Sequence, residues 1–438
     1  MKRLLWTLAL LLIVATGFSK GPKYIFYFIG DGMGPSHVLG TELFWGETKE
    51  NVIGRPHKLC FTQFPQSAFV TTFSASNGVT DSAASGTALS TGSKTNNGRL
   101  GVDADGKDVS SVALAAKESG YAVGVATTVC INHATPGAFY AHNTSRNNYN
   151  DIAQWMLVAD YDFYAGGDAK CSNEQRETLY DKARNNGYAI ARGYDDYKEK
   201  AGKAEKMMLY QEEVSEGLPY TIDRDEDDLT LAEITEAGID FLYNKDKDGF
   251  FFMVEGGKID YASHSNDAAT MLWEVVDFNA AVEVALEFYK KHKDETLIIV
   301  TADHETGGFV LGYNSSYTLN LKALRKQKVS VDALTAKLQE AKSWNEVESI
   351  VKENVGVRLR NKPATEQRVE MNYKLASQIA AEAVYDLNRE AAISWASGNH
   401  SGTFVPLFAI GNGAEEFHGV IDNTDIPKRI KRIAKLKK

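Results

Sequence analysis

Five short, nearly unbroken apolar runs punctuate the chain: Tyr24 to Ile29, Tyr121 to Ala126, Phe250 to Val254, Thr296 to Val300 and Phe404 to Ile410. Runs of this length without polar alternation predict strands buried on both faces. Between the third and fourth, Leu272, Val275, Val276, Val282, Ala285, Leu286 and Tyr289 recur at helical spacing and predict a helix from about Ala268 to Lys291 that packs on a sheet. Strands alternating with helices predict an α/β fold with a mostly parallel sheet. Each strand lies close in sequence to a Gly-rich turn or to Asp, Glu and His side chains. A parallel sheet gathers its strand ends along one edge, where ligands bind, so the repetition points to a single site.

Residues 1–19 depart from this pattern. Lys2 and Arg3 precede the apolar stretch Leu4 to Ala15, and Thr16, Gly17 and Ser19 follow, the order of a secretory signal peptide. The stretch falls short of the roughly 20 apolar residues a spanning helix needs. The expectation is an exported chain, periplasmic or extracellular, with no membrane span after signal removal and one domain over residues 20–438. Polar, helix-toned stretches at about 147–236 and 310–394 interrupt the strand pattern and are expected to be insertions, the first of them an exposed one.

Without Lys2 and Arg3 the basic side chains number 46 against 58 acidic ones, a formal charge near −12, which argues against a nucleic-acid-binding surface. Three cysteines, Cys60, Cys130 and Cys171, allow at most one internal disulfide.

The candidate chemistry sits at the strand ends. In Gly30-Asp31-Gly32-Met33-Gly34 the glycines permit a sharp turn, and Asp31 either caps the next helix or presents a carboxylate to a ligand. Thr80-Asp81-Ser82-Ala83-Ala84-Ser85-Gly86 begins like a helix with Thr80 or Asp81 as cap. Its small residues would let that helix lie close to the sheet. Ser82 would fall in the first turn, where the dipole favours an oxyanion by up to about 1 kcal/mol. A serine hydroxyl still needs a base or a metal to attack, and no Gly-x-Ser-x-Gly pattern surrounds this one.

Asp260 and His264, four apart in the block from Glu255, share one face of a helical turn. Asp303 and His304 close the most apolar strand, where ionised groups need a salt bridge or a cation, and His400 stands alone in its loop. Counted together, Asp31, Asp303 and His304 make one three-ligand set and Asp260, His264 and His400 another, each matching catalytic zinc with an open position. Two such ions roughly 4 Å apart clamp the attacking and leaving oxygens of an in-line displacement. Glu255, Thr135 and the second oxygen of Asp31 offer hard ligands suited to Mg²⁺.

With Ala134-Thr135-Pro136 and Ala141-His142-Asn143-Thr144-Ser145-Arg146 added, these motifs resemble those of the alkaline phosphatases, in the family's order and across nearly the whole mature chain. The resemblance implies a three-layer α/β/α sandwich with a crown inserted between His304 and His400. It implies a phosphomonoesterase acting on small phosphate monoesters with two Zn²⁺ and one Mg²⁺. Ser82 becomes the nucleophile that forms phosphoserine, and Arg146 grips two phosphate oxygens as a planar fork. Relatives are commonly homodimers.

Two positions depart from the best-known bacterial type, His133 in place of Asp and Tyr261 in place of Lys, and Thr306 stands where the family often has a further His near the zinc. They bear on the third metal, on the charge near bound phosphate and on a hydrogen bond behind a zinc. A phosphodiesterase of the same superfamily is the alternative. A sulfatase fits poorly because Ser82 lacks the Cys/Ser-x-Pro-x-Arg context. A catalytically silent, metal-stabilised envelope protein is a third reading that no missing ligand supports.

Overall fold

At the centre of the protein lies Tyr24–Gly30 (β1), whose six residues from Ile25 onward are all buried. The computed structural model describes residues 21–49, 55–245, 247–313, 317–360 and 368–437. The N-terminal stretch read as a signal peptide lies outside the described residues. Nine more strands complete one sheet: Gln66–Thr71 (β2), Ala122–Cys130 (β3), Phe163–Gly167 (β4), Tyr188–Arg192 (β5), Lys206–Tyr210 (β6), Phe250–Gly256 (β7), Thr296–Thr301 (β8), Val405–Gly411 (β9) and Gly419–Asp422 (β10). Their order is β10-β2-β9-β8-β1-β7-β3-β4-β6-β5. Only β9 runs against its neighbours, β2 and β8. All five apolar runs are strands of this sheet.

Helices cover both faces, as a buried parallel sheet requires. Neighbouring side chains of a strand point to opposite faces, and β1 shows both contacts. The Tyr27 hydroxyl donates to Leu89 O (3.3 Å) in helix Ser82–Thr91 (α1). Phe28 meets Phe278 edge-on at 5.9 Å on the other face. Phe278 belongs to helix Ala268–Lys291 (α3), whose limits coincide with those expected from its periodicity; the short helix Lys258–His264 (α2) precedes it. The three-layer α/β/α arrangement follows.

The register of the central strands determines where the site forms. Ile29 pairs with Glu255 of β7 and with Thr301 of β8, and Glu255 pairs in turn with Thr127 of β3. Three parallel strands therefore end level with one another.

The exposed insertion expected over 147–236 is corrected by the structure, because this segment supplies β4, β5 and β6 of the main sheet. Its strands are only five residues long and alternate with the polar helices Asn173–Asn185 and Gly193–Ala201, so the average composition of the stretch conceals them. The described residues of 310–394 contribute no strand to the ten-stranded sheet; among them are helices, including Tyr373–Glu390 (α4), and two-residue strands. All three cysteines are free thiols. Among the described residues no helix is long and apolar enough to cross a membrane.

Truncating Phe28 would leave a cavity between β1 and α3. Phe28→Ala is expected to cost about 3–5 kcal/mol, read as a lowered urea midpoint; an unchanged midpoint would show that this contact does not hold the sheet to its helix layer.

Candidate active site

The level strand ends bring three carboxylates together. Asp31 follows β1, Glu255 lies near the end of β7, and Asp303 follows β8; all three are fully buried. Asp303 is held by backbone: its Oδ1 accepts from Gly32 N–H (3.1 Å) and from His304 N–H (2.9 Å). Glu255 accepts from the Thr127 hydroxyl, which the β3–β7 register sets directly beside it. Asp31 does not cap a helix, and neither of its side-chain oxygens accepts a hydrogen bond from the protein; Glu255 Oε1 accepts none either.

Imidazoles complete the cluster. His304 Nε2 lies 3.3 Å from Asp31 Oδ1 and 3.2 Å from Asp303 Oδ2. His264 Nε2 lies 3.2 Å from Asp260 Oδ2, and His400 Nε2 lies 3.7 Å from Asp260 Oδ1. Each ring is oriented through its other nitrogen: His264 Nδ1 donates to Gly398 O (2.7 Å), His400 Nδ1 to Thr80 O (2.8 Å), and His304 Nδ1 to Thr306 Oγ1 (3.2 Å). That arrangement leaves all three Nε2 atoms facing inward, as metal-binding histidines require. Thr306 passes its own proton to Asp260, so this threonine ties the two ligand sets together. The Nε2 atoms of His264 and His400 sit only 3.2 Å apart. Two lone pairs at that distance repel unless a proton or a cation stands between them.

Ser82 is the first residue of α1, where Asp81 serves as N-cap by accepting from Ala84 N–H (3.0 Å). Its buried hydroxyl lies 3.2 Å from His304 Nε2. Arg146 donates through Nη1 to Asp81 Oδ2 and through Nη2 to His133 Nε2, both at 3.0 Å. Thr135 Oγ1 lies 3.5 Å from Asp303 Oδ2, and the ring of Tyr261 meets that of His133 edge-on at 5.8 Å. Ser82, Arg146, the expected metal ligands, His133 and Tyr261 thus lie in one connected cluster. The sequence reading missed Thr127, which only strand register reveals, and Asp81 as the partner of Arg146, whose sole signal was its place beside Ser82.

The electrostatics describe a site built around positive charge. Burial, reinforced by Asp303, Asp260 and Glu255, pushes the Asp31 carboxyl well above its ordinary range. Burial likewise raises Asp303 to about 7 and Glu255 to about 8. Burial keeps His304 well below its ordinary value and takes His133 to about 3, so both are neutral and able to ligate. Burial would raise Asp260, but the hydrogen bond with His264 and the nearby imidazoles hold it well below the usual range. The same hydrogen bond lifts His264 to about 9. Orphaned carboxylate oxygens, inward Nε2 atoms and buried like charges together fit divalent cations. Three groups have ligand atoms within 4.8 Å of one another: Asp31, Asp303 and His304; Asp260, His304 and His400; and Asp31, His133 and Glu255.

A family model described as alkaline phosphatase matches residues 22–166 and 168–436. The chain belongs to the alkaline phosphatase family. Alkaline phosphatase 4 of Bacillus subtilis is 34% identical over 428 residues, covering 94% of this chain and 89% of the relative. The cold-active alkaline phosphatase of a psychrophilic Shewanella superposes with a TM-score of 0.81 at 30% identity, covering 94% of this chain and 99% of that one. A variant of the alkaline phosphatase from the Antarctic bacterium TAB5, with a histidine changed to aspartate, holds Mg in its M3 site; it matches at 28% identity and a TM-score of 0.69, covering 96% of this chain and 99% of that one.

The raised groups determine how the cation-free protein responds to pH. Glu255 binds its proton up to about 8 when folded but has an ordinary value of 4.5, so its contribution to stability falls as pH rises between the two. His264, raised from 6.5 to about 9, contributes fully below 6.5 and loses its contribution as pH passes 9. The lowered histidines add nothing further above their ordinary value. Chelated protein is therefore expected to melt several degrees lower at pH 9 than at pH 6.5, and saturating Zn²⁺ should flatten the dependence. A melting temperature that rises across that window would contradict the assignment.

Proposed function

We propose that the protein hydrolyses phosphate monoesters to alcohol and inorganic phosphate through a phosphoserine on Ser82. The observation that carries this reading is the Ser82 hydroxyl, buried at the N-terminus of α1 and 3.2 Å from the imidazole that joins both ligand sets. Attack of Ser82 Oγ on phosphorus forms one P–O bond and breaks the bond to the leaving alcohol, which departs with a proton. Water then attacks the phosphoserine, restoring the hydroxyl and releasing phosphate. The free N–H groups at the start of α1 favour the anion that Ser82 becomes. Arg146, held in plane by Asp81 and His133, would turn guanidinium N–H groups toward two phosphate oxygens.

Asp31, Asp303 and His304 would hold one Zn²⁺. Asp260, His264 and His400 would hold a second; His264 Nε2 lies 3.2 Å from both Asp260 Oδ2 and His400 Nε2, although the compact group around Asp260 and His400 is closed by His304 instead. Asp31 and Glu255 would hold a Mg²⁺ with Thr135, and His133 is the third member of their compact group. Such ions supply Lewis-acid stabilisation of the attacking and leaving oxygens and lower the pKa of hydroxyl and water. The TAB5 variant that holds Mg in its M3 site carries aspartate in place of a histidine, whereas the third set of this chain keeps His133 and is less oxygen-rich. We place the chain outside the cytoplasm on the basic-then-apolar pattern of residues 1–19.

Ser82→Ala is expected to lower kcat on p-nitrophenyl phosphate by at least about a thousandfold, while Zn²⁺ content of the purified protein stays at the parent level. Retained turnover would assign the nucleophile elsewhere. The parent should also hydrolyse this ester far faster than bis(p-nitrophenyl) phosphate, and the reverse preference would favour the diesterase reading. Tyr261, beside His133, leaves the phosphate neighbourhood without the lysine charge of the best-known bacterial type. Tyr261→Lys should therefore lower the inhibition constant of inorganic phosphate, and unchanged or weaker inhibition would refute this role.

A further inference from the structure

A two-residue ribbon joins the segments of His304 and His400: Glu305–Thr306 pairs antiparallel with His400–Ser401, Thr306 opposite His400 and Glu305 opposite Ser401. Successive side chains of a strand point to opposite sides, so Thr306 and His400 face the ligand cluster while Glu305 and Ser401 lie behind it. Glu305 is buried all the same, and its carboxylate is fully used. Its Oε1 accepts from Phe309 N–H (3.0 Å), and its Oε2 accepts from Gly308 N–H (3.1 Å) and from the Ser401 hydroxyl. One carboxylate thus ties the strand after His304 to the strand that holds His400.

His37 stands against this carboxylate. It lies in helix Pro35–Lys49, which follows the Gly30 to Gly34 turn, and its buried ring packs on Phe309 and Trp395 with centroids 5.5 and 6.0 Å away. Its Nδ1 lies 3.8 Å from Glu305 Oε1, too far for a hydrogen bond, and its Nε2 lies 3.2 Å from Ser263 Oγ. The Ser263 proton goes to Ile259 O (2.7 Å), so the imidazole is the donor to the hydroxyl. Gly34 leaves the space in which Glu305 sits, since a Cβ there would collide with Glu305 Cγ.

Carboxylate, imidazole and hydroxyl in a row have the composition of a hydrolase triad. Ser263 is fully buried and its proton is committed to the helix backbone, so no substrate reaches it and the row has another use. It runs behind three histidines: Glu305 follows His304, Ser401 follows His400, and Ser263 precedes His264. His304 is flanked by Asp31 and Asp303, whereas His264 and His400 belong to short elements with one backbone carbonyl behind each ring. The row therefore matters most to the set of Asp260, His264 and His400.

We propose that Glu305 and His37 are positioning residues for the second ion: they brace Ser401 and Ser263 so that His400 and His264 present their Nε2 atoms to it beside Asp260. The inference rests on the metal sets of the proposed function and adds the residues that govern the affinity of one of them.

The test titrates Zn²⁺ into the metal-free full chain against a chromophoric chelator, with Mg²⁺ present in excess, in the parent and in Ser263→Ala and Glu305→Gln. Ser263→Ala removes one hydroxyl from a helix that alanine favours, so folding should not suffer. Each variant is expected to loosen one ion about tenfold and to leave the other within about twofold of the parent, as when a group behind a metal ligand is removed. In a His264→Ala background, which already lacks a ligand of the second ion, Ser263→Ala should add nothing, an outcome that a general loss of rigidity would not give. Unchanged affinities in both variants, equal loosening of both ions, or a further loss in the His264→Ala background overturns the positioning role. A parent that binds no Zn²⁺ overturns the metal sets and the brace with them. If the parent binds two ions and each variant loosens one, yet p-nitrophenyl phosphate is not hydrolysed, the phosphatase reading falls and the brace stands. Should Glu305→Gln fail to fold, as judged by circular dichroism, Ser263→Ala carries the comparison.

Discussion

The burial of three carboxylates at the level ends of adjacent parallel strands is the constraint on which the rest of this protein depends. Asp31, Glu255 and Asp303 are all without solvent contact, and two of them keep oxygens that accept no hydrogen bond from the chain. Ionised groups so placed repel one another in a medium that screens little. The fold can keep them charged only by supplying cations, or uncharged only by binding protons. The first solution is chemically useful, because a cation that offsets this repulsion is also available to an oxygen nucleophile.

Around this centre the remaining side chains are held by hydrogen bonds from behind. Gly398 O, Thr80 O and Thr306 each take the outward proton of one histidine, which presents the ring nitrogen that matters to the cluster. Thr80 also lies two residues before Ser82, so the segment that orients His400 delivers the nucleophile. Asp81 has a double part, capping α1 and anchoring Arg146. Loss of any one of these contacts would displace a neighbour that serves a different role, a coupling expected where few backbone segments converge. Thr306 shows the same economy: its one hydroxyl bridges Asp260 and His304.

How much of this could be read from the chain varies with the kind of signal. Continuous apolar strands such as Tyr24–Gly30 and Phe250–Gly256 announce themselves, as does the period of α3, because burial on both faces of a sheet or on one stripe of a helix leaves a regular trace. The strands within 147–236 leave almost none. Phe163–Gly167 ends in two glycines, and Tyr188–Arg192 carries an arginine at its end and stands between the charged helices Asn173–Asn185 and Gly193–Ala201. The expectation of an exposed insertion there came from averaging over helices and strands that face different environments. Thr127 was equally hidden, since its importance derives from pairing with Glu255 across two strands 128 positions apart.

The order and type of the chemical groups belong to the primary structure alone: a serine in the first turn of a small-residue helix, aspartates and histidines at strand ends, and an arginine beyond the third strand. Covalent order and local periodicity suffice to specify these. Tertiary structure decided the distances, the register that sets three carboxylates level, the inward turn of each imidazole and the brace behind them. Those properties arise between segments remote in the chain, where pairing and packing, rather than neighbouring residues, fix the geometry.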